Sequence, residues 1–155
     1  MPIARDDLGF LLAVASRRWN ETLEERFAMA GFEEVRASYG AVLVPLFEED
    51  GLRLGELARR AHLSKQTMTT LARLLERDGL ITRQPDHTDA RATRVFLTKR
   101  GNAFAPVAEN ILENLASDLE NALGRTRVRQ LRAGLANVVE QLELNQLEAT
   151  ARTAS

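Results

Sequence analysis

Apolar residues recur at three- and four-residue steps along most of the chain, the spacing of amphipathic helices. Leu8, Leu11, Leu12, Ala15, Trp19, Leu23 and Phe27 form the first such stripe. It predicts a helix of roughly 25 residues, ended by Gly31. A second helix is expected from about Glu33 to Asp50, with Pro45 inside it and Gly51 after it. Proline cannot donate to the carbonyl four residues back, so a kink or a late boundary is expected there. Leu52-Arg53-Leu54 reads as a short extended segment. A short helix follows from Gly55 to about Ala61, and His62-Leu63 turns the chain. Ser64 is a suitable N-cap for a helix from about Lys65 to Asp78, with Met68, Leu71, Leu74 and Leu75 inward and Gly79 just past its end.

At Leu80 the period changes. Leu80–Arg83 and Thr93–Leu97 read as strands, and residues 84–92 between them are rich in turn formers. This predicts a two-stranded hairpin with a longer tip. Thr98 caps a long helix whose stripe runs Phe104, Val107, Ile111, Leu112, Leu115, Leu119 and Leu123, with Pro106 near its first turns. Beyond Gly124 a last helix carries Val128, Leu131, Leu135, Val138, Val139, Leu142 and Leu147, and residues 149–155 are expected to fray.

Composition narrows the class. The 155 residues suit about one domain. The chain is 45% apolar, which leaves room for a core, and has no cysteine. Disulfides, thiolate metal sites and thiol redox sensing are therefore excluded. No apolar run approaches the roughly 20 residues needed to span a bilayer. The acidic start, with Asp6 and Asp7, does not resemble a signal peptide, so the chain is read as cytoplasmic. No cofactor is expected. The motifs of phosphate loops, zinc proteases and serine hydrolases are missing, and enzyme function is set aside. The histidines His62 and His87 lack ligand spacing, so no metal is expected.

Charge changes the picture more. Residues 52–100 hold 11 Lys/Arg against 5 Asp/Glu, a net +6, and the remainder carries −7. A basic centre between acidic ends suggests a module for a polyanion. Two short helices, a tight turn and a hairpin describe a winged helix-turn-helix, whose second helix enters the major groove. That helix opens Ser64-Lys65-Gln66-Thr67-Met68-Thr69-Thr70, followed by Arg73 and Arg77. Small hydroxyls, an amide and cations there can reach base edges and phosphates. The candidate DNA contacts are Ser64, Lys65, Gln66, Thr67, Thr69, Thr70 and Arg73, with Arg91 and Arg94 on the wing.

The stretch Leu54–Gly101 resembles the MarR family of bacterial transcription regulators. The residues that carry the resemblance are Leu57-Ala58, Leu63 to Thr67, Leu74-Leu75-Glu76, Gly79-Leu80-Ile81, Arg83, Asp89-Ala90-Arg91 and Val95 to Gly101. It implies a mainly α protein with a small β-hairpin wing, a winged helix-turn-helix flanked by N- and C-terminal dimerisation helices. The expected layout is one MarR-like domain over 1–155, with the DNA-binding lobe at 33–101 and dimerisation helices at 1–32 and 102–148. The outer stripes point the same way, because a compact winged helix cannot cover them and a two-fold partner can.

The resemblance also implies that Arg91 enters or flanks the minor groove, with Asp89 pairing an arginine to support the wing. It suggests a pocket for a small aromatic or anionic effector. Trp19 and Tyr39 are candidate walls, Arg17 or Arg18 a candidate partner for its charge, and His62 a further lining residue. The expected partners are double-stranded DNA with a pseudo-palindromic operator, a second copy of the chain, and this effector; no membrane is expected. The expected function is a homodimeric repressor released by its ligand. The rival is a protein-interaction module on a degenerate winged helix, which would be expected to lose the basic face.

Overall fold

The computed structural model describes residues 5–154; the first four residues of the expected N-terminal segment and Ser155 lie outside the described residues. Six α-helices and three strands follow in the order α1 (Leu8–Met29), α2 (Gly40–Glu48), β1 (Leu52–Arg53), α3 (Leu54–Arg60), α4 (Lys65–Arg77), β2 (Ile81–Pro85), β3 (Thr93–Leu97), α5 (Lys99–Leu123) and α6 (Arg125–Thr153). Residues up to Leu112 form one compact unit and those from Glu113 a second. Among the described residues no helix is long and apolar enough to cross a membrane.

In the first unit, Asp7 caps α1 by accepting from the Phe10 amide at 3.1 Å. Gly31, at φ +90°, ends it. The Phe32 amide reaches back to the Phe27 carbonyl and the Gly31 amide to that of Ala28, the paired bonds of a Schellman motif. Only Leu23 and Phe27 of the first stripe are buried, whereas Leu8, Phe10 and Leu11 are exposed. Phe27, Phe32 and Phe47 pack around Phe104, with ring centroids 4.9, 5.0 and 6.4 Å away.

The second helix starts later than the pattern predicts. Phe32, Val35 and Tyr39 are all buried. Arg36 is extended at φ −95°, ψ 151°, and a 3-10 turn over Ala37–Tyr39 leads into α2. Residues 33–36 are therefore not helical: a turn and an extended residue carry the chain between the buried side chains. Pro45 lies within α2, and the helix ends three residues later at Glu48.

Leu57 and Ala58 of α3 meet Met68, Ala72 and Leu75 of α4 in a core completed by Val42, Leu43 and Leu46. Ala72 is buried and Leu71 and Leu74 are only half-buried, a shift of the expected α4 stripe. The predicted hairpin is a three-stranded antiparallel sheet in the order β1-β3-β2. Leu52 pairs Val95, Ile81 pairs Leu97 and Pro85 pairs Thr93. The short extended segment before α3 thus supplies an outer strand that ties the helix-turn-helix to the wing.

Thr98 joins wing to helix. Its hydroxyl donates to the Gly79 carbonyl at 2.6 Å and accepts from the Gly101 amide at 3.1 Å. A Cβ on Gly101 would stand 2.2 Å from the Leu80 carbonyl oxygen, so only glycine fits where α5 crosses that turn.

The second unit holds the end of α5 and all of α6. Leu115 and Val128 are buried, while Leu131, Leu135, Val139, Leu142 and Leu147 are exposed. The helix runs through Thr153, past the point where fraying was expected.

Candidate nucleic-acid interface

The turn between α3 and α4 is set by local bonds. The Leu63 amide donates to the Ala58 carbonyl and the His62 amide to that of Arg59, so α3 also ends in a Schellman motif. His62 takes the left-handed position at φ +56°, which glycine usually holds. This places His62 in the turn itself, with its side chain exposed. Ser64 then caps α4: its hydroxyl accepts from the Thr67 amide at 3.1 Å and donates to the Thr67 hydroxyl at 2.9 Å.

Cap geometry sets what α4 presents. Lys65, Gln66, Thr67, Thr70 and Arg73 are exposed and Thr69 is half-buried. Thr69 and Thr70 donate their hydroxyl protons to the Lys65 and Gln66 carbonyls at 2.8 and 3.1 Å. Each oxygen can still accept. The carboxyl end of the helix is clamped twice. Glu76 accepts from the Arg83 amide at 3.1 Å and its guanidinium at 3.0 Å, tying α4 to β2. Asp78 accepts from the buried Tyr39 phenol at 2.5 Å.

Tyr39 is thus a core residue, 1% exposed. Burial and then the Asp78 carboxylate push its phenol up to about 12 from the ordinary 10.0. A raised phenol contributes stability that is complete below pH 10 and lost as pH climbs through the folded value. Tyr39 is the only tyrosine in the chain. A spectrophotometric titration should therefore show one phenolate transition near 12 in native protein, falling to 10 in urea. A native midpoint at 10 would remove the buried bond from the account.

The wing is built on Asp86, 4% exposed and the one buried charged side chain among the described residues. One oxygen accepts from the Thr88 hydroxyl at 2.6 Å, the Thr88 amide at 2.8 Å and the Asp89 amide at 3.2 Å. The other accepts from Arg94 at 2.6 Å and Arg53 at 3.0 Å. Thr88 first, then the two arginines, hold the Asp86 carboxyl far below the usual carboxylate range.

Arg94, expected on DNA, is turned inward instead: its second nitrogen donates to the Gly51 carbonyl at 2.7 Å. Its guanidinium neutralises the buried Asp86, which solvent cannot do. Asp89 meets Arg91, accepting from its amide at 3.0 Å and its guanidinium at 3.3 Å. Arg91 itself stays 93% exposed along its side chain.

Between α4 and the wing runs a groove of about 300 Å³ whose walls include Arg53, Gly55, Lys65, Arg91 and Thr93. Glu56 also lines it. Arg59 first and then Arg60 draw its carboxyl down to about 2, so its charge is compensated by its own neighbours.

The remaining expected effector residues lie together on α1. Arg17 and Arg18 are exposed on α1, Trp19 is half-buried beside them, and Arg18 donates to Glu21 at 3.0 Å. Among the described residues, no group of three or more His, Cys, Asp or Glu is placed to hold a metal. Sequence reading missed Asp86, Arg53 and the Glu76–Arg83 clamp. The one local signal was an aspartate two residues before a threonine, a turn-forming pattern.

This arrangement was compared with known proteins. A sequence profile of the MarR family matches residues 38–93. The HTH-type transcriptional repressor YetL of Bacillus subtilis is 34% identical over 90 residues, covering 57% of this chain and 52% of that protein. The matched stretch spans 32%, 52% and 62% of the first three curated relatives' own lengths. Among solved structures, the transcriptional repressor CouR bound to a 23-mer DNA duplex superposes with a TM-score of 0.74 at 23% identity, covering 90% of this chain and 99% of that one. The PcaV transcriptional regulator of Streptomyces coelicolor, solved with its natural ligand, gives 0.73 at 20% identity, over 90% and 97%. At these identities the structures speak for the fold, while the profile falls on the helix-turn-helix and wing. Over residues 38–93, which hold its helix-turn-helix and most of its wing, this chain matches the MarR family.

Proposed function

We propose that the chain is a homodimeric, sequence-specific DNA-binding transcriptional regulator, acting as a repressor that a small aromatic or anionic ligand releases from its operator. One observation carries the DNA reading. Lys65 and Gln66 stand exposed at the amino end of α4, beside a wing whose interior charge is fully compensated and whose tip leaves Arg91 in solvent. A helix N-terminus with a cation and an amide suits major-groove edges, and a projecting arginine suits phosphates or a narrow minor groove. Ser64, Thr67, Thr69, Thr70 and Arg73 complete the proposed surface. Arg94 and Asp89 are assigned to the wing's shape.

YetL is named a repressor, CouR was solved on a DNA duplex and PcaV with a ligand; these support repression, duplex binding and effector release in turn. Occlusion of a promoter is the simplest physical route to repression. The homodimer is supported by exposed apolar rows on α1 and α6 that single-chain folding leaves uncovered. A protein-interaction module is the weaker reading, because the cations on α4 and the wing remain. An enzyme is not proposed.

Footprinting of genomic fragments with purified protein tests this. It should reveal an inverted repeat with half-sites about one helical turn apart. Protection without two-fold symmetry, or none at low salt, would overturn the reading.

A further inference from the structure

The charges of the last two helices are sorted into blocks. Residues 101–124 carry Glu109, Glu113, Asp118 and Glu120 and no Lys or Arg. Residues 121–139 carry Arg125, Arg127, Arg129 and Arg132 and no Asp or Glu. Within α6, Arg125, Arg129 and Arg132 recur at four- and three-residue steps and share one face. Within α5, Glu109, Glu113 and Glu120 stand four and seven residues apart and likewise share one face. The chain itself joins these blocks weakly, by Arg125–Glu120 at 3.7 Å with the arginine 88% exposed. Among the described residues, Arg127, Arg129, Arg132, Glu109 and Glu113 make no ion pair.

The arginine row borders the uncovered apolar row of α6, in which Leu142 is 55% exposed. An occupant of that face must therefore bring apolar surface flanked by negative charge. Duplex DNA brings the charge without the apolar surface. A second copy of this chain brings both.

We propose that Arg129 and Arg132 of α6 pair across the two-fold axis with Glu109 and Glu113 of the second copy, forming a charged rim that sets the register of the dimer. In an isologous interface each pair occurs twice, so a charge error is doubled. The inference rests on the homodimer reading above and deepens it.

The test compares three proteins by sedimentation equilibrium at low and high salt. They are the wild type, Arg129→Glu with Arg132→Glu, and Glu109→Arg with Glu113→Arg. Circular dichroism confirms that the variants fold. Each variant alone should dimerise at least about tenfold more weakly than wild type, and an equimolar mixture should recover a heterodimer near wild-type affinity. The wild-type dimer should weaken as salt rises. Variants that dimerise as well as wild type would overturn the charged rim while leaving the dimer standing. So would a mixture without recovery, which would mean the acidic partner is wrong. If the α6 variant keeps its dimer and loses duplex affinity, the row faces DNA and the proposal fails. A wild-type monomer would sink the homodimer reading itself.

Discussion

Replacing Asp86 by alanine should impair DNA binding as strongly as removing the arginine expected to touch DNA. Asp86 is buried and holds Arg53, Arg94, Thr88 and the Asp89 amide in one network. Without it, two guanidinium groups face each other with no anion between them, and the turn at 86–89 loses its acceptor. The wing tip should then become mobile, and Arg91 should no longer be held beside the groove. The expected readout is salt dependence: the slope of log affinity against log salt should flatten by roughly one unit per wing. The helical core, built on Leu57, Met68 and Leu75, should persist, so far-UV circular dichroism should change little. Hydrogen exchange at the Thr88 and Asp89 amides should accelerate. Unchanged exchange and slope would show that the wing holds its shape by other means. The same network fixes the pH response. A carboxyl depressed in the folded state contributes stability that is present above its unfolded value and lost only as pH falls through the folded one. The wing should therefore stay locked from neutral pH down through mild acid.

Truncation after Gly124 should have the larger effect on assembly. It removes α6 and with it Val128, the buried residue of that helix, and the exposed row of Leu131, Leu135, Val139 and Leu142. If those residues cover a partner, their loss uncovers the partner's matching surface. The expected product is insoluble protein or a monomer with sharply reduced operator affinity, because two half-sites are no longer engaged together. A soluble dimer by light scattering would move the interface elsewhere, most directly to the exposed start of α1.

The legible parts of this fold are those governed by neighbours in sequence. Ser64 as cap, and Gly31 and Gly79 as terminators, follow from chemistry within one helical turn, and all three hold. His62 was legible as a turn but not as a left-handed residue, because the Schellman bonds around it constrain backbone that a side chain does not advertise. The late start of α2 was hidden since Phe32, Val35 and Tyr39 look helical in spacing and are buried without a helix between them. Asp86 and its partner Arg53 lie 33 residues apart, and Tyr39 and Asp78 lie 39 apart. No periodicity reports such pairs. Arg94 shows the consequence: in sequence it is one more wing cation, and in the structure it is the counter-ion of a buried acid.

The central claim is that α4 reads bases while the wing supplies charge, and one set of titrations tests it. Gln66→Ala and Arg91→Ala are compared with wild type on operator and scrambled duplex across a salt series. An amide paired to an adenine edge discriminates by about 1–3 kcal/mol, so Gln66→Ala should lose roughly that on operator and almost nothing on scrambled DNA. Arg91→Ala should weaken both duplexes and lower the salt slope by roughly one unit per monomer. Equal losses on both duplexes for Gln66→Ala, or an unchanged slope for Arg91→Ala, would contradict the account.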